Sequence, residues 1–177
     1  SYGTELLLQK KTGKLTGCVG YTLSWTNRQF ATLNFGNKFP YKYDNRHDVN
    51  VAVSHAWNDR MDFSFAWIYT SGNAISLPVA TYEGADPGGS GWYGNEVSYY
   101  ESRNDFRMKA YHRLDVSFSW WKNKKWGQSK WTLGVYNAYS RRNPFFMDIG
   151  YDNHGNKKFI QYSLFPIIPS FTYSFKF

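Results

Sequence analysis

Very few residues of this sequence are spaced for catalysis or for metal binding. The four histidines (His47, His55, His112 and His154) show no metal-ligand spacing, and the first two lie too far apart on one predicted strand to hold a single ion. Cys18 is the single cysteine, which excludes an internal disulfide and the usual cysteine-rich metal sites. No nucleophile–base pair and no phosphate-binding loop stand out, so the sequence predicts a protein that is not an enzyme and uses neither cofactor nor metal.

Two groups of residues are the candidates for function. Asp48, Arg113 and Asp115 fall by parity on the polar side of predicted strands, where they would form ion pairs that stiffen a sheet or, alternatively, contact a substrate. The second group belongs to a glycine-rich segment, residues 72–108, and consists of Trp92, Tyr93, Tyr99, Tyr100 and Arg103. Its aromatic rings and its cation suit a siderophore, a sugar or a peptide. The alternative is an ordered loop that packs over its neighbours.

Composition narrows the class of protein. The chain has 177 residues, enough for one domain, and 21% of them are aromatic. The mean hydropathy is −0.61, and no apolar run approaches the roughly 20 residues that a membrane-spanning helix needs. The net charge is +8, but the basic residues cluster at predicted strand ends instead of forming one strip. This distribution argues against nucleic-acid binding, whereas cations at strand ends suit anionic lipid headgroups.

Alternation of apolar and polar residues predicts seven β-strands. They cover about residues 3–11, 16–28, 46–57, 60–70, 110–121, 130–146 and 159–177. The alternation slips at Tyr136 and Asn137, which predicts a bulge, and Pro166 and Pro169 predict an interruption early in the last strand. Short turns near 12, 58 and 125 alternate with longer loops near 36, 90 and 153. One end of the predicted sheet therefore carries the turns and the other end carries the loops.

The last eight residues alternate most regularly. Phe171, Tyr173, Phe175 and Phe177 share one face, and the residues between them are Ser, Thr and Lys. A terminal strand with an aromatic outside, a polar inside and a final Phe resembles the last strand of bacterial outer-membrane β-barrels. The resemblance implies that these aromatics are part of the signal that the barrel-assembly machinery recognises.

Four sequence blocks extend the resemblance over essentially the whole chain. They are YDNRHD at 43–48, YHRLD at 111–115, YNAYSRRNPF at 136–145 and the ending 164–177, and in this order they resemble the C-terminal third of TonB-dependent outer-membrane receptors. The fold implied is all-β: an antiparallel transmembrane β-barrel segment, with about seven C-terminal strands of a barrel of about 22 strands. Residues 1–177 would form one part of that barrel. The plug and the remaining strands are absent from them, which predicts a fragment.

The resemblance also implies a function and a set of partners. The receptor would sit in the outer membrane of a Gram-negative cell and import a siderophore, glycan, peptide or similar ligand, and this chain would supply barrel wall and extracellular loops. Asp48, Arg113 and Asp115 would then face the lumen. Implied partners are membrane lipid and lipopolysaccharide, the rest of the receptor, the TonB complex through the N-terminal part, and the barrel-assembly machinery. A surface lipoprotein is a further candidate, and nucleic acid is not expected.

Two other functions stay open at this point. One is a non-transporting outer-membrane barrel, such as an adhesin or an assembly-linked protein. The other is a soluble β-rich module that binds carbohydrate through its exposed aromatics. The soluble module should be a monomer without detergent, whereas both barrels should be insoluble without it.

Overall fold

The computed structural model describes residues 1–84 and 96–177, and these residues form an all-β structure without an α-helix. One 3₁₀ turn spans Asn34–Gly36. The strands are β1 (Tyr2–Lys10), β2 (Leu15–Trp25), β3 (Asn27–Arg28), β4 (Phe39–Pro40), β5 (His47–Asn58), β6 (Met61–Thr70), β7 (Ala74–Ile75), β8 (Ala80–Glu83), β9 (Glu96–Tyr99), β10 (Phe106–Arg107), β11 (Tyr111–Lys124), β12 (Gly127–Tyr136), β13 (Pro144–Tyr151), β14 (Lys157–Ser163) and β15 (Ile168–Lys176). Within the described ranges, none of the helical segments has the length and apolar character to cross a membrane.

Most of the structure is one antiparallel sheet of seven strands in the order β1-β2-β5-β6-β11-β12-β15. Every neighbouring pair is antiparallel, and the spatial order follows the chain order of these seven strands. The all-β, antiparallel prediction is therefore confirmed. The sheet is not closed in the described part of the chain, because β1 and β15 lie at its two opposite edges.

The connections differ in length at the two ends of the sheet. Residues 11–14, 59–60 and 125–126 make tight turns at one end, which we call the turn rim. Residues 26–46 and 137–167, and the described residues 71–84 and 96–110, lie between strands at the other end, the loop rim. The loop rim also contains two-stranded antiparallel sheets: β3 pairs with β4, β7 with β10, β8 with β9, and β13 with β14.

One side of the sheet, the apolar face, is continuous and exposed. The register aligns mostly apolar side chains in rows across the strands, and one row runs Leu15, His55, Phe63, Phe118, Leu133 and Phe171, in which His55 is the polar member. Leu8, Phe63 and Phe171 are 61%, 51% and 59% exposed. The apolar surface crosses all seven strands, and contiguous exposed apolar surfaces are typical of regions that contact lipid or another protein.

The opposite side, the polar face, carries small residues. One row across it reads Thr16, Ser54, Ser64, Ser117, Gly134 and Ser170. A cavity of about 570 Å³ lies against this face and touches residues from Gln9 in β1 to Asp115 in β11. Since one cavity reaches five neighbouring strands, the sheet curls toward its polar face, and short side chains leave room for that curvature.

Two predicted strands differ in the structure, since one ends early and the other is divided in two. β12 stops at Tyr136, because Asn137 adopts a left-handed backbone conformation (φ 53°) that opens a turn; the predicted strand 130–146 with a bulge is therefore wrong beyond Tyr136. The predicted strand 159–177 is two strands, β14 and β15, separated at residues 164–167. Pro166 falls in this gap, so the interruption expected from the prolines is present.

Candidate functional site

The loops of the loop rim pack against one another around a small core. Phe39, Ala74 and Met108 are 4%, 1% and 7% exposed, and they are the buried hydrophobic residues of the described chain. They come from β4, from β7 and from the residue after β10. The core therefore lies among the connecting loops and not within the sheet.

Asp44 joins three of these loop segments. The residue is 1% exposed, and its carboxylate accepts hydrogen bonds from the backbone N–H of Thr26 at 2.5 Å, from Arg46 Nη2 at 3.2 Å and from Arg107 Nη2 at 2.6 Å. Arg107 also donates to the backbone carbonyls of Asp44 and of Gly72, the latter at 3.0 Å. Asp44 thus ties the end of β2, the approach to β5 and the segment that contains β10 into one unit.

The charge of Asp44 is stabilised where it lies. Burial alone would raise the pKa of this carboxyl group, but the hydrogen bonds from Thr26, Arg107 and Arg46 and the positive charge of Arg46 outweigh the burial. The pKa of Asp44 therefore lies below its ordinary value. The carboxylate stays ionised under any physiological condition, and the cluster is a fixed element of the loop rim.

A cleft of about 410 Å³ opens between two loops of this rim. It is lined by Asn34 and Phe35 from one loop, and by Ser76, Tyr100, Glu101, Ser102 and Arg103 from the segment between β6 and β11. Phe35 is 88% exposed and Tyr100 is 48% exposed, so both rings are available to a ligand. The volume lies in the range of small-molecule sites.

Three residues beside this cleft hold a left-handed backbone conformation: Asn34 (φ 52°), Phe35 (φ 54°) and Asn104 (φ 54°). Such a conformation is unusual for an aromatic residue, and it persists only where neighbouring contacts impose it. Asn34 Oδ1 accepts a hydrogen bond from the backbone N–H of Arg103 at 2.9 Å, and Asn104 Nδ2 donates to the carbonyl of Pro40 at 2.9 Å. These two bonds cross-link the cleft walls and hold Phe35 outward.

The structure brings part of the predicted ligand-binding group to this cleft. Tyr100 and Arg103 line it, and the Arg103 guanidinium lies 5.8 Å from the centre of the Phe39 ring. Tyr99 ends β9, is 51% exposed and pairs with Ala80 in the β8–β9 ribbon. Trp92 and Tyr93 lie outside the described residues. Asn34 and Phe35 were missed by the sequence reasoning, because no alternation or motif marks a loop that approaches another loop 69 residues away.

Arg113 and Asp115 form an ion pair on the polar face. Arg113 Nη2 lies 2.9 Å from Asp115 Oδ2, and Arg113 Nη1 donates to the hydroxyls of Tyr111 at 3.0 Å and Tyr136 at 2.6 Å. The other Asp115 oxygen accepts the backbone N–H of Asn137 at 2.9 Å. The network spans β11, β12 and the turn after β12, so it stiffens this part of the sheet.

Asp48 shares the polar face but belongs to a separate contact. The register places it opposite Thr22 and Thr70, and its carboxylate accepts a hydrogen bond from Asn50 Nδ2. Among the described contacts, Asp48 makes no ion pair with Arg113. The three predicted polar residues thus lie on one face as a pair and a separate carboxylate, and not as a continuous ladder.

The turn after β12 is held by two buried amides. Asn137 is fully buried and donates to the carbonyls of Arg141 at 2.9 Å and Phe165 at 3.1 Å. Asn143 exchanges two hydrogen bonds with the backbone of His112, at 3.0 and 2.9 Å. The block that carried part of the sequence resemblance is therefore a compact hub between β11, β12 and the approach to β15.

The terminal aromatics lie on the apolar face and contact their neighbours along β12. Trp131 lies 5.4 Å from Phe171 and 4.5 Å from Tyr173 between ring centres, and Trp126 lies 5.1 Å from Phe175. Phe177, after the end of β15, is 98% exposed. In the two described ranges, no cluster of three or more His, Cys, Asp or Glu residues is arranged to hold a metal ion.

Comparisons with protein-family models, with curated proteins and with solved structures gave no match to this chain. The fold defines the class: an all-β protein built on one antiparallel sheet with an exposed apolar face, a small-residue polar face and long loops at one rim.

Proposed function

We propose that this chain is the C-terminal part of the barrel of a TonB-dependent outer-membrane receptor, which imports a scarce nutrient. The observation that carries the proposal is the exposed apolar face, which crosses all seven strands of the main sheet. These strands have 9–14 residues, and a tilted membrane strand needs about 9–11. A lipid-facing wall needs both this length and this outward surface.

The two faces of the sheet would have different roles in such a wall. Apolar and aromatic side chains would contact lipid, while the polar face, which carries the Arg113–Asp115 pair, would line the lumen. The curl toward the polar face has the sense that barrel closure requires. Because backbone groups at an open edge cannot be satisfied in lipid, the free edges of β1 and β15 would be completed by further strands of the receptor.

The receptor family, as opposed to any other barrel, is supported by the four sequence blocks and by the form of the loop rim. The long loops are joined by the hydrogen bonds and ion pairs of Asp44, and an aromatic cleft lies beside them. Such an arrangement suits an extracellular surface that binds a ligand. The tight turns would face the periplasm. Lipid, the barrel-assembly machinery and the rest of the receptor would be the immediate partners, and the TonB complex would act through the part of the receptor outside this chain.

Lipid contact can be tested on the full-length protein with lipids brominated in the acyl chain, which quench tryptophan fluorescence at short range. Trp131 lies on the apolar face and Trp121 on the polar face, and both are half-buried. We expect the quenching to fall in Trp131→Phe and to be unchanged in the matched variant Trp121→Phe. A protein that stays monomeric without detergent and is not quenched would be a soluble module instead.

Import is tested separately in cells. Uptake of labelled ferric siderophore, oligosaccharide or oligopeptide should stop when the proton gradient is collapsed, and Tyr100→Ala should reduce uptake of the accepted class. Deletion of Phe177 should lower the surface level of the full-length receptor. Normal membrane insertion with no gradient-dependent uptake of any class would identify a non-transporting barrel.

A further inference from the structure

The positive charge of the chain is concentrated at the turn rim. Among the described residues, nine cations lie there: the half-buried Lys130 and eight exposed ones, namely Lys10, Lys11, Lys14, Arg60, Lys122, Lys124, Lys125 and Lys176. Of the described carboxylate side chains, only those of Asp59 and Asp62 lie at the same rim, so the formal charge of its side chains is +7 (nine cations less two carboxylates), against +8 for the whole chain. The three ion pairs of the described residues all lie elsewhere, at Asp44 and Asp115, so carboxylates do not neutralise these cations.

The β11–β12 hairpin carries the densest part of this charge beyond the edge of the neighbouring strand. β6 pairs with β11 as far as Trp120, and β11 continues to Lys124 before the turn at residues 125–126. Lys122 and Lys124 lie two and four residues beyond Trp120, so at about 3.3 Å per residue the hairpin projects up to roughly 13 Å beyond the last row shared with β6, and Lys125 lies in its turn.

Aromatic rings lie at the base of this projection, on the apolar face. Trp120 and Trp131 stack with ring centres 6.0 Å apart, and Trp126 at the tip is 66% exposed. The Lys124 ammonium lies 4.9 Å from the centre of the Trp126 ring. Lysines two to five residues beyond an aromatic belt match the order of layers at a bilayer surface: acyl chain, interface and charged headgroup.

We propose that the β11–β12 hairpin is a binding site for anionic phospholipid headgroups, formed by Lys122, Lys124, Lys125 and Trp126. The inference rests on the proposed membrane location, and it specifies the class of lipid headgroup that binds at the turn rim. The lysine ammonium groups pair with the headgroup phosphates, and Trp126 lies at the glycerol level, where an amphipathic ring is favoured. Neutral, zwitterionic headgroups do not compensate three adjacent cations.

The test uses the full-length protein in nanodiscs of phosphatidylcholine with one fifth phosphatidylglycerol, with bromine on one lipid class at a time. The protein has eight tryptophans, so the quenching of Trp126 is obtained as the difference in quenching between the unmodified protein and the Trp126→Phe variant. At equal mole fraction, brominated phosphatidylglycerol should quench Trp126 several-fold more than brominated phosphatidylcholine. Since each surface lysine changes binding to an anionic membrane about fivefold, the triple variant Lys122→Gln, Lys124→Gln, Lys125→Gln should abolish this preference.

The matched control removes the same charge from the loop rim: Lys38→Gln, Lys42→Gln, Lys109→Gln. These three lysines are exposed, and their loss should leave the preference of Trp126 unchanged. Raising the salt to about 0.5 M should weaken the preference in the unmodified protein, because the headgroup contacts are exposed.

The outcomes separate this inference from the proposed function. Equal quenching by both brominated lipids means that the protein is inserted and that the hairpin has no lipid preference, which overturns the inference alone. Quenching by neither lipid at Trp126, together with none at Trp131, overturns the membrane location and the inference with it. A preference that survives the triple variant would place the anionic site at other residues and refute the assignment to the hairpin.

Discussion

Replacing Asp44 by Ala should release the loops of the loop rim while leaving the main sheet folded. Asp44 is 1% exposed and accepts three side-chain and backbone hydrogen bonds, two of them from guanidinium groups whose side chains are 33% exposed. The change leaves the Thr26 N–H without its acceptor and deprives Arg46 and Arg107 of their common partner. A buried donor without a partner costs about 1–3 kcal/mol.

The loss of the contacts with Arg46 and Arg107 adds less to the destabilisation than the loss of a fully buried ion pair would. Breaking a buried ion pair costs about 3–5 kcal/mol, but water reaches both guanidinium groups and compensates much of that loss. We therefore expect a local destabilisation of about 3 kcal/mol, which corresponds to roughly a hundredfold rise in the opening equilibrium of the loops. The effect should be confined to residues 26–46, 72–76 and 104–108.

Hydrogen exchange followed by mass spectrometry measures this opening directly. Protection of the three loop segments should fall by about two orders of magnitude in Asp44→Ala, with unchanged protection in β11 and β12. Asp152→Ala is the control, since the carboxylate of this half-buried aspartate bonds, among the described contacts, within its own turn, to His154 and Asn156. Equal protection of the loops in the Asp44 variant and the unmodified protein would refute the role of Asp44 as a clamp.

The same residue predicts a pH dependence with a definite sign. The pKa of Asp44 is lower in the folded protein than in the unfolded chain, so the charged form contributes stability that is complete above the ordinary value of about 3.9. That stability is lost as the pH falls through the lowered pKa. Loop protection should consequently be constant at neutral pH and fall only in strong acid, and Asp44→Asn should remove this acid-dependent step.

Two further substitutions have defined outcomes. Gly72→Ala should destabilise the loop rim by about 1–3 kcal/mol, because a Cβ there would lie 1.8 Å from the carbonyl oxygen of Met108. Gly20→Ala is the control, since its Cβ would meet its nearest atom at 3.9 Å. Equal susceptibility of the two variants to limited proteolysis would contradict the argument. Arg113→Met and Asp115→Asn should show a coupling free energy of about 1 kcal/mol in a double-mutant cycle of denaturant unfolding, since both side chains are partly exposed. Additive effects would mean that the pair is not stabilising.

Local pattern predicted the sheet well because each of its strands obeys the two-residue period on its own. Phe63, Phe65 and Trp67 lie on one face for the same reason that they alternate in the sequence, and two-residue turns fix the neighbouring strand. The end of β12 could not be placed in this way. The Asn137 amide bonds to the Arg141 carbonyl within its own turn and to the Phe165 carbonyl 28 residues away, and the two-residue period of a strand predicts neither contact.

The loop rim was predictable only in part. Long loops at one end followed from the spacing of the turns. Tyr100 and Arg103, which line the cleft, were candidates because aromatic and cationic residues are conspicuous in a glycine-rich segment. Asp44 belongs to the sequence block YDNRHD, but its role depends on Arg107, 63 residues away. Asn34 and Phe35 gave no signal, since their left-handed conformation is imposed by the loop they touch.

The small side chains of the polar face have a consequence for how the sheet tolerates mutation. On the apolar face, side chains fan outward from the curved sheet, so exchanges among Leu, Val and Phe change little besides the surface offered to the surroundings. On the polar face, the row of small residues through Ser54, Ser64 and Gly134 is close-packed: Ser64 donates to Ser54 at 2.9 Å, and a Cβ at Gly134 would lie 2.6 Å from Ser170 Oγ. Sequence drift should therefore be free in hydrophobic identity on the apolar face and restricted in size along this row, while more open polar-face positions such as Gly20 accept a larger side chain.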